Sequence, residues 1–318
     1  MSETASNRGT IPGDWAPTIR DALTELIADA PLRTEGTPPL AVLDWDNTCI
    51  YNDIGEASFF DLIERLEYRF ELDAFWETIP LELGREELRE LWRSIPSAPL
   101  PSLREDSAYG DFRARFGHLY DSVLETKGTR EAYAWAPRLL VGYTPEAMIA
   151  RTDALIDRQL ATPIGRTEWT SSDGVRIRLH EGIRLFAPIV ALIRELEASG
   201  FEVWVVSASP RVQVIPFARR VGVPSDRILA MTNAVRDGTL TSEVLPPITF
   251  REGKVEAIER GAGRMPLLAI GDTYTDFEML DAAHREGGVA ILLDRGDETV
   301  RRHAERSGWF VQPRWSEA

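Results

Sequence analysis

The chain has 318 residues, with 36 Lys and Arg against 51 Asp and Glu for a formal charge of −15, and 43% of its residues are apolar. That is the make-up of a globular protein able to bury a sizeable core, and its negative charge repels polyanions, which argues against general binding to nucleic acid or to an anionic membrane surface. Its one cysteine, Cys49, excludes an intrachain disulfide framework and a cysteine-built metal site.

Residues 1–18 are polar and punctuated by Pro and Gly, which predicts a mobile segment ahead of a short helix near 18–30. Neither a leader-like apolar stretch nor a run of about 18 apolar residues is found, so a cytoplasmic location is expected. TPPLAVLD then closes four apolar residues on Asp44. A short apolar run of this kind has the form of a strand buried on both faces of a parallel sheet.

Residues 51–180 read differently: helical stretches rich in Glu, Arg and Leu at 56–70, 84–94, 111–127 and 144–160, with no buried-strand run. They predict an inserted helical domain that uses its aromatics as core. From 181 onward helix and strand alternate: helix 183–199, strand 201–207, helix 211–221, strand 227–232, a turn at Asp237-Gly238 into another strand, helix 252–260, strand 266–270, helix 274–284, strand 288–293 and helix 297–307. The expected fold is therefore an α/β doubly wound, mainly parallel sheet formed by 19–50 and 181–318, with 51–180 inserted after the first strand.

Polar residues of particular kinds fall at the strand ends. Asp44 and Asp46 lie two apart in DWDNT after the first strand. Ligands of open α/β sheets bind outside the carboxyl ends of the strands, and two acids placed there on one side call for a cation. Ser207 closes the second run, Lys254 begins a helix after Gly253, and Asp272 and Asp276 frame GDTYTD after the third run. Taken singly, each has an ordinary structural explanation as a turn residue, a solvated lysine or a helix cap.

As an ordered set, DWDNT, VVSAS, the Lys of REGK and GDTYTD resemble the four motifs of the haloacid-dehalogenase-like (HAD) phosphatase superfamily, over residues 40–52 and 180–311. The resemblance implies a Rossmann-like core and a C1 cap inserted at 51–180. It implies that Asp44 is the nucleophile of an aspartyl-phosphate mechanism and Asp46 the acid and base. Ser207 and Lys254 would hold and neutralise the phosphoryl group, with Thr48 in the substrate-binding set. Magnesium would be held by the carboxylates of Asp44 and Asp272, the carbonyl of Asp46, and Asp276 directly or through water. Charge arithmetic agrees, because each close pair of like charges costs about 4 kcal/mol at an effective dielectric of 20, so a dianionic ester among four aspartates requires a hard dication and a lysine.

The stretch 182–209 and the segment NAVRDGTLTSEVLPPITFREGKVEAI look like the phosphoserine phosphatase and phosphorylcholine phosphatase branch, although SAS replaces its S-G-G and the cap is longer. Asp53, nine positions after Asp44, matches an acid that contacts a substrate amine there, and it can equally cap the first cap helix. Tyr51, Tyr109, Tyr133 and Trp135 are candidate faces for an ammonium group. Arg211 can reach an anion or stand in the first turn of an exposed helix. The expected partner is a small phosphate ester, amine-bearing by preference. The alternatives are another small alcohol or sugar phosphate, a phosphotransferase, and a non-catalytic binding protein built on the same fold.

Overall fold

A computed structural model describes residues 11–34 and 36–316. Most of the expected mobile segment, residues 1–10, lies outside the described residues. The rest of it is packed: Ile11 and Trp15 are each 2% exposed, and the amide of Ala16 donates to Gln312 Oε1 at 2.9 Å. The apolar side chains at 11 and 15 anchor this stretch to the core despite its Pro and Gly.

The chain proceeds through α1 (Pro17–Arg33), β1 (Leu40–Leu43) and a two-residue strand β2 (Ile50–Tyr51) into the insertion. There it forms α2 (Ile54–Glu64), α3 (Asp73–Trp76), α4 (Arg85–Ser94), α5 (Leu100–Leu103), α6 (Ser107–Lys127), α7 (Thr129–Arg138), α8 (Pro145–Ala161) and the strands β3 (Gly165–Thr170) and β4 (Arg176–Glu181). It returns through β5 (Arg184–Leu185), which pairs antiparallel with β2, so the two crossings are tied side by side. The core resumes with α9 (Ala187–Ala198), β6 (Glu202–Pro210), α10 (Arg211–Arg220), β7 (Ile228–Arg236), β8 (Thr239–Leu245), α11 (Glu252–Ala262), β9 (Leu268–Gly271), α12 (Phe277–Arg285), β10 (Val289–Asp294), α13 (Glu298–Ser307) and β11 (Phe310–Pro313).

Seven strands form one sheet in the order β11-β10-β9-β1-β6-β7-β8, parallel except for the β7–β8 hairpin. That hairpin turns at Asp237 and Gly238, both at positive φ. All four residues of β1 and of β9 are buried, as strands covered on both faces require. The β1 strand lies between β6 and β9, with Leu43 in register with Val205 on one side and Ile270 on the other. The ends carrying Asp44, Ser207 and Asp272 are therefore adjacent, at the topological break where α/β sheets place their sites.

The insertion has its own apolar cluster, in which Phe59, Phe70, Phe75, Trp76, Phe112, Phe116 and Trp135 pack together. It is not wholly helical: β3 and β4 form an antiparallel hairpin turning near Gly174. The hairpin escapes a search for buried strands because it covers the helices with one face only, leaving alternate residues exposed. Among the described residues, no helix is long and apolar enough to cross a membrane.

Candidate active site

The loop after β1 sorts its side chains by alternation. Asp44 and Asp46 face the strand-end cavity, whereas Trp45 is fully buried against Phe217. Thr48 Oγ1 lies 3.0 Å from Asp44 Oδ2 and 3.3 Å from Asp272 Oδ1. Completely buried, Thr48 orients the two carboxylates and does not line the cavity, which corrects its expected place in the substrate-binding set.

Lys254 Nζ donates to Asp44 Oδ1 at 2.7 Å and to Asp276 Oδ1 at 2.5 Å, and only 1% of the residue is exposed. Its helix starts close beneath the preceding segment: a Cβ on Gly253 would stand 1.7 Å from the carbonyl oxygen of Ile248, so glycine is required there. The other oxygen of Asp276 accepts from the amides of Asp272 and Thr273 at 3.0 and 3.2 Å. This close turn depends on Gly271, whose Cβ would meet Asp276 Cβ at 2.5 Å.

Asp46 has different partners. Its Oδ1 accepts from the amide of Ile54 at 2.8 Å, and its Oδ2 from Ser209 Oγ at 2.7 Å and Ser207 Oγ at 3.3 Å. Ser207 is thus turned toward Asp46 and is absent from the cavity lining, while Ser209 lines it. Ser209 lies two residues on along the same strand, where a hydroxyl points to the same side. That spacing in SAS was available to a sequence reading as a signal.

Burial pushes the Asp44 carboxyl well above the usual range, with Lys254 opposing and Asp276 and Asp272 adding to the rise. Burial, reinforced by Asp276, raises Asp272 to about 6 against the pull of Arg295. Asp46 is raised by burial and restrained by its hydrogen bonds from Ser209, Ile54 and Ser207. Burial works against the Lys254 ammonium, but Asp276 and Asp44 outweigh it and its pKa moves up. Burial likewise raises the Cys49 thiol, a small apolar filler.

Asp44, Asp272 and Asp276 each offer a carboxylate oxygen within 4.8 Å of the others, and all three are buried. Four aspartates face two cations, Lys254 and Arg295, the latter donating to Asp272 Oδ2 at 2.8 Å. This oxygen-only donor set with about two uncompensated negative charges fits a hard divalent cation.

Above these groups opens a cavity of about 730 Å³. Its floor includes Asp44, Asp46, Lys254, Asp272 and Arg295. Its walls, drawn mostly from the insertion, include Asp53, Glu56, Tyr120, Asp121, Tyr133, Glu168, Arg176 and Arg178. Asp53 lines the cavity and also caps α2, its Oδ1 accepting from the amide of Glu56 at 2.8 Å. Of the four aromatics proposed as faces for a cation, only Tyr133 lines the cavity. Tyr109 and Trp135 are buried in the insertion, bonded to the carbonyls of Glu64 and Thr78, and Tyr51 lies beneath Arg314.

Arg211 does not belong to the site. Its guanidinium donates to the carbonyls of Ile228 at 3.0 Å and Ser225 at 2.6 Å, fastening α10 to the start of β7, and it is absent from the cavity lining. Arg295 went unnoticed in the sequence because a basic residue after a strand is ordinary; only the rule that every parallel strand end borders the site would have singled it out.

Residues 166–281 match the family model of haloacid dehalogenase-like hydrolases. The matched stretch holds VVSAS, Lys254 and GDTYTD, and DWDNT lies ahead of it. The chain is 30% identical over 159 residues to the phosphoserine phosphatase SerB2 of Mycobacterium tuberculosis, covering 48% of this chain and 37% of that protein. Over 133 residues it is 35% identical to a protein of the same organism named as a probable phosphatase, covering 40% and 43%. The chain thus matches about two fifths of the length of these curated relatives. A crystal structure of a conserved protein of unknown function from Anaerococcus prevotii DSM 20548 shares the fold across 95% of this chain and 94% of its own, with a TM-score of 0.80 and 22% identity.

Proposed function

We propose that this protein is a magnesium-dependent phosphomonoesterase that acts on a small, amine-bearing phosphate ester through an aspartyl-phosphate. The observation that carries the reading is the buried constellation of Asp44, Lys254, Asp272 and Asp276 on the floor of a cavity that also holds Asp46. Asp44 attacks phosphorus, forming a bond to Oδ as the ester oxygen leaves, and Asp46 protonates that oxygen. Asp46 then takes a proton from the water that cleaves the acyl phosphate. Lys254 offsets charge on Asp44, and Ser209 with Ser207 holds Asp46 in place. Magnesium, which Asp44, Asp272 and Asp276 would hold, supplies charge neutralisation for the transferring phosphoryl group. The insertion acts as the lid over the leaving group.

Asp53, Glu56, Asp121 and Glu168 give the cavity wall an acidic bias beside Tyr120 and Tyr133, which favours an ammonium-bearing leaving group. A panel of phosphorylated metabolites assayed for phosphate release tests the assignment. On that panel, Asp53→Asn, which keeps an oxygen to cap α2, raises KM for amine substrates about tenfold and leaves a neutral ester within about twofold. Equal effects on both classes refute the amine preference.

The raised carboxyl pKa values also give the cation a pH signature. Between 3.8 and about 6, folded Asp272 keeps a proton that the unfolded chain has released, so the cation-free fold loses stability as pH rises through this window. A bound dication removes that penalty. The rise in Tm produced by magnesium over chelator is therefore expected to be small at pH 5 and large at pH 7.5; equal shifts at both refute binding at these carboxylates.

A further inference from the structure

After β11 the chain places Arg314 against the loop that carries the proposed nucleophile. Its Nη2 donates to Asn47 Oδ1 at 3.1 Å. Asn47 stands between Asp46 and Thr48, lines the cavity, and has a φ of 60°, a left-handed conformation that asparagine enters more readily than other residues with a side chain and that its contacts here select. The amide of Asn47 donates to the carbonyl of Asn52 at 3.1 Å, and Asn52 Nδ2 donates to the carbonyl of Gly182 at 2.8 Å. One path of polar contacts thus joins the C-terminal segment, the catalytic loop and both crossings into the insertion.

The guanidinium of Arg314 also lies 3.9 Å above the ring of Tyr51 in β2 and 5.8 Å from that of Phe186, just past β5. Its backbone is fixed independently. The amide of Arg314 donates to the carbonyl of Asp294 at 3.2 Å, one residue before Arg295, and Trp315 packs on Trp15 and Phe186 with centroid separations of 4.9 and 5.5 Å. The arginine therefore projects from a segment held on two sides.

We propose that Arg314 is a positioning residue: it holds Asn47 in its left-handed conformation, thereby aiming Asp44 and Asp46, and fastens the paired crossings on which the insertion is hung. The kinetic part of this inference rests on the phosphatase reading, whereas the structural part does not. Fixing Asn47 acts on the orientation of two carboxylates and not on the cavity walls, so its loss falls on turnover and not on substrate capture.

The test combines amide hydrogen exchange of residues 45–53 with steady-state phosphate release from p-nitrophenyl phosphate in magnesium. Arg314→Ala is expected to speed exchange there about tenfold and lower kcat about tenfold, with KM within about twofold. Arg314→Lys recovers part of both, since it keeps the charge and loses the planar stack. In an Asn47→Gly background, Arg314→Ala adds less than about twofold to the loss of kcat, because the contact is already gone. Parent-like exchange and kcat in Arg314→Ala, additive losses in the double variant, or exchange raised equally across β1, β10 and β11 each overturn the proposal. If the parent enzyme releases no phosphate from any ester, the phosphatase reading fails while exchange at 45–53 still decides whether Arg314 holds the loop.

Discussion

Asp44→Asn is expected to lower phosphate release by at least about three powers of ten while leaving the fold intact. The amide fills the volume of the carboxylate: its oxygen accepts from Lys254 in place of Oδ1, and its NH2, in place of Oδ2, donates to the Thr48 hydroxyl, the two partners lying 2.7 and 3.0 Å from those positions. What it lacks is a nucleophilic oxygen and a charge to share with a dication. Burial already pushes the Asp44 carboxyl well up, so losing this charge from a site with four aspartates does not destabilise the cation-free protein. The expected variant therefore has a Tm in chelator at or above that of the parent and no measurable turnover. Release at the parent rate shows that another group attacks phosphorus.

Lys254→Met is expected to act in the opposite sense on stability. The ammonium bridges Asp44 and Asp276 from a position 1% exposed, and removing one member of such a buried group typically costs about 3–5 kcal/mol because the partners are left uncompensated. Protonation is their escape. Lys254 is what holds the Asp44 carboxyl down against burial, so with the lysine gone Asp44 takes up a proton more readily, and the penalty is small at pH 5 and grows toward pH 7.5. Thermal denaturation in chelator at the two pH values reads this directly, and kcat/KM at pH 7.5 falls by about three powers of ten. A variant equally stable at both pH values, or one that keeps its turnover, shows that Lys254 does not balance these carboxylates.

Much of the site is legible in the sequence because a parallel sheet brings distant residues to one edge by topology. Asp44, Asp272 and Ser207 each follow a short apolar run, and β9, β1 and β6 are neighbours in the sheet. Lys254 joins them because Gly253 allows its helix to start against the Ile248 carbonyl. Residue type and position do not determine side-chain direction. Arg211 and Ser207 stand at the same strand end, yet one turns to the Ile228 and Ser225 carbonyls and the other to Asp46. The β3–β4 hairpin is missed for another reason, since a strand with one exposed face lacks the continuous apolar run of β1. Arg295 and Arg314 carry no local signal, and their partners Asp272 and Asn47 are 23 and 267 residues away along the chain.

The most direct test of the account is to find the phosphoryl group on the protein. Rapid acid quenching of the enzyme during turnover of a radiolabelled ester in magnesium, followed by peptide mapping, should recover hydroxylamine-labile label on the peptide containing Asp44. With p-nitrophenyl phosphate, whose leaving group needs no proton, more label is expected in Asp46→Asn, in which the activated water is missing, and none in Asp44→Asn or in chelator. Phosphate released at the full rate with no label on that peptide, or label recovered on a different residue, contradicts the account.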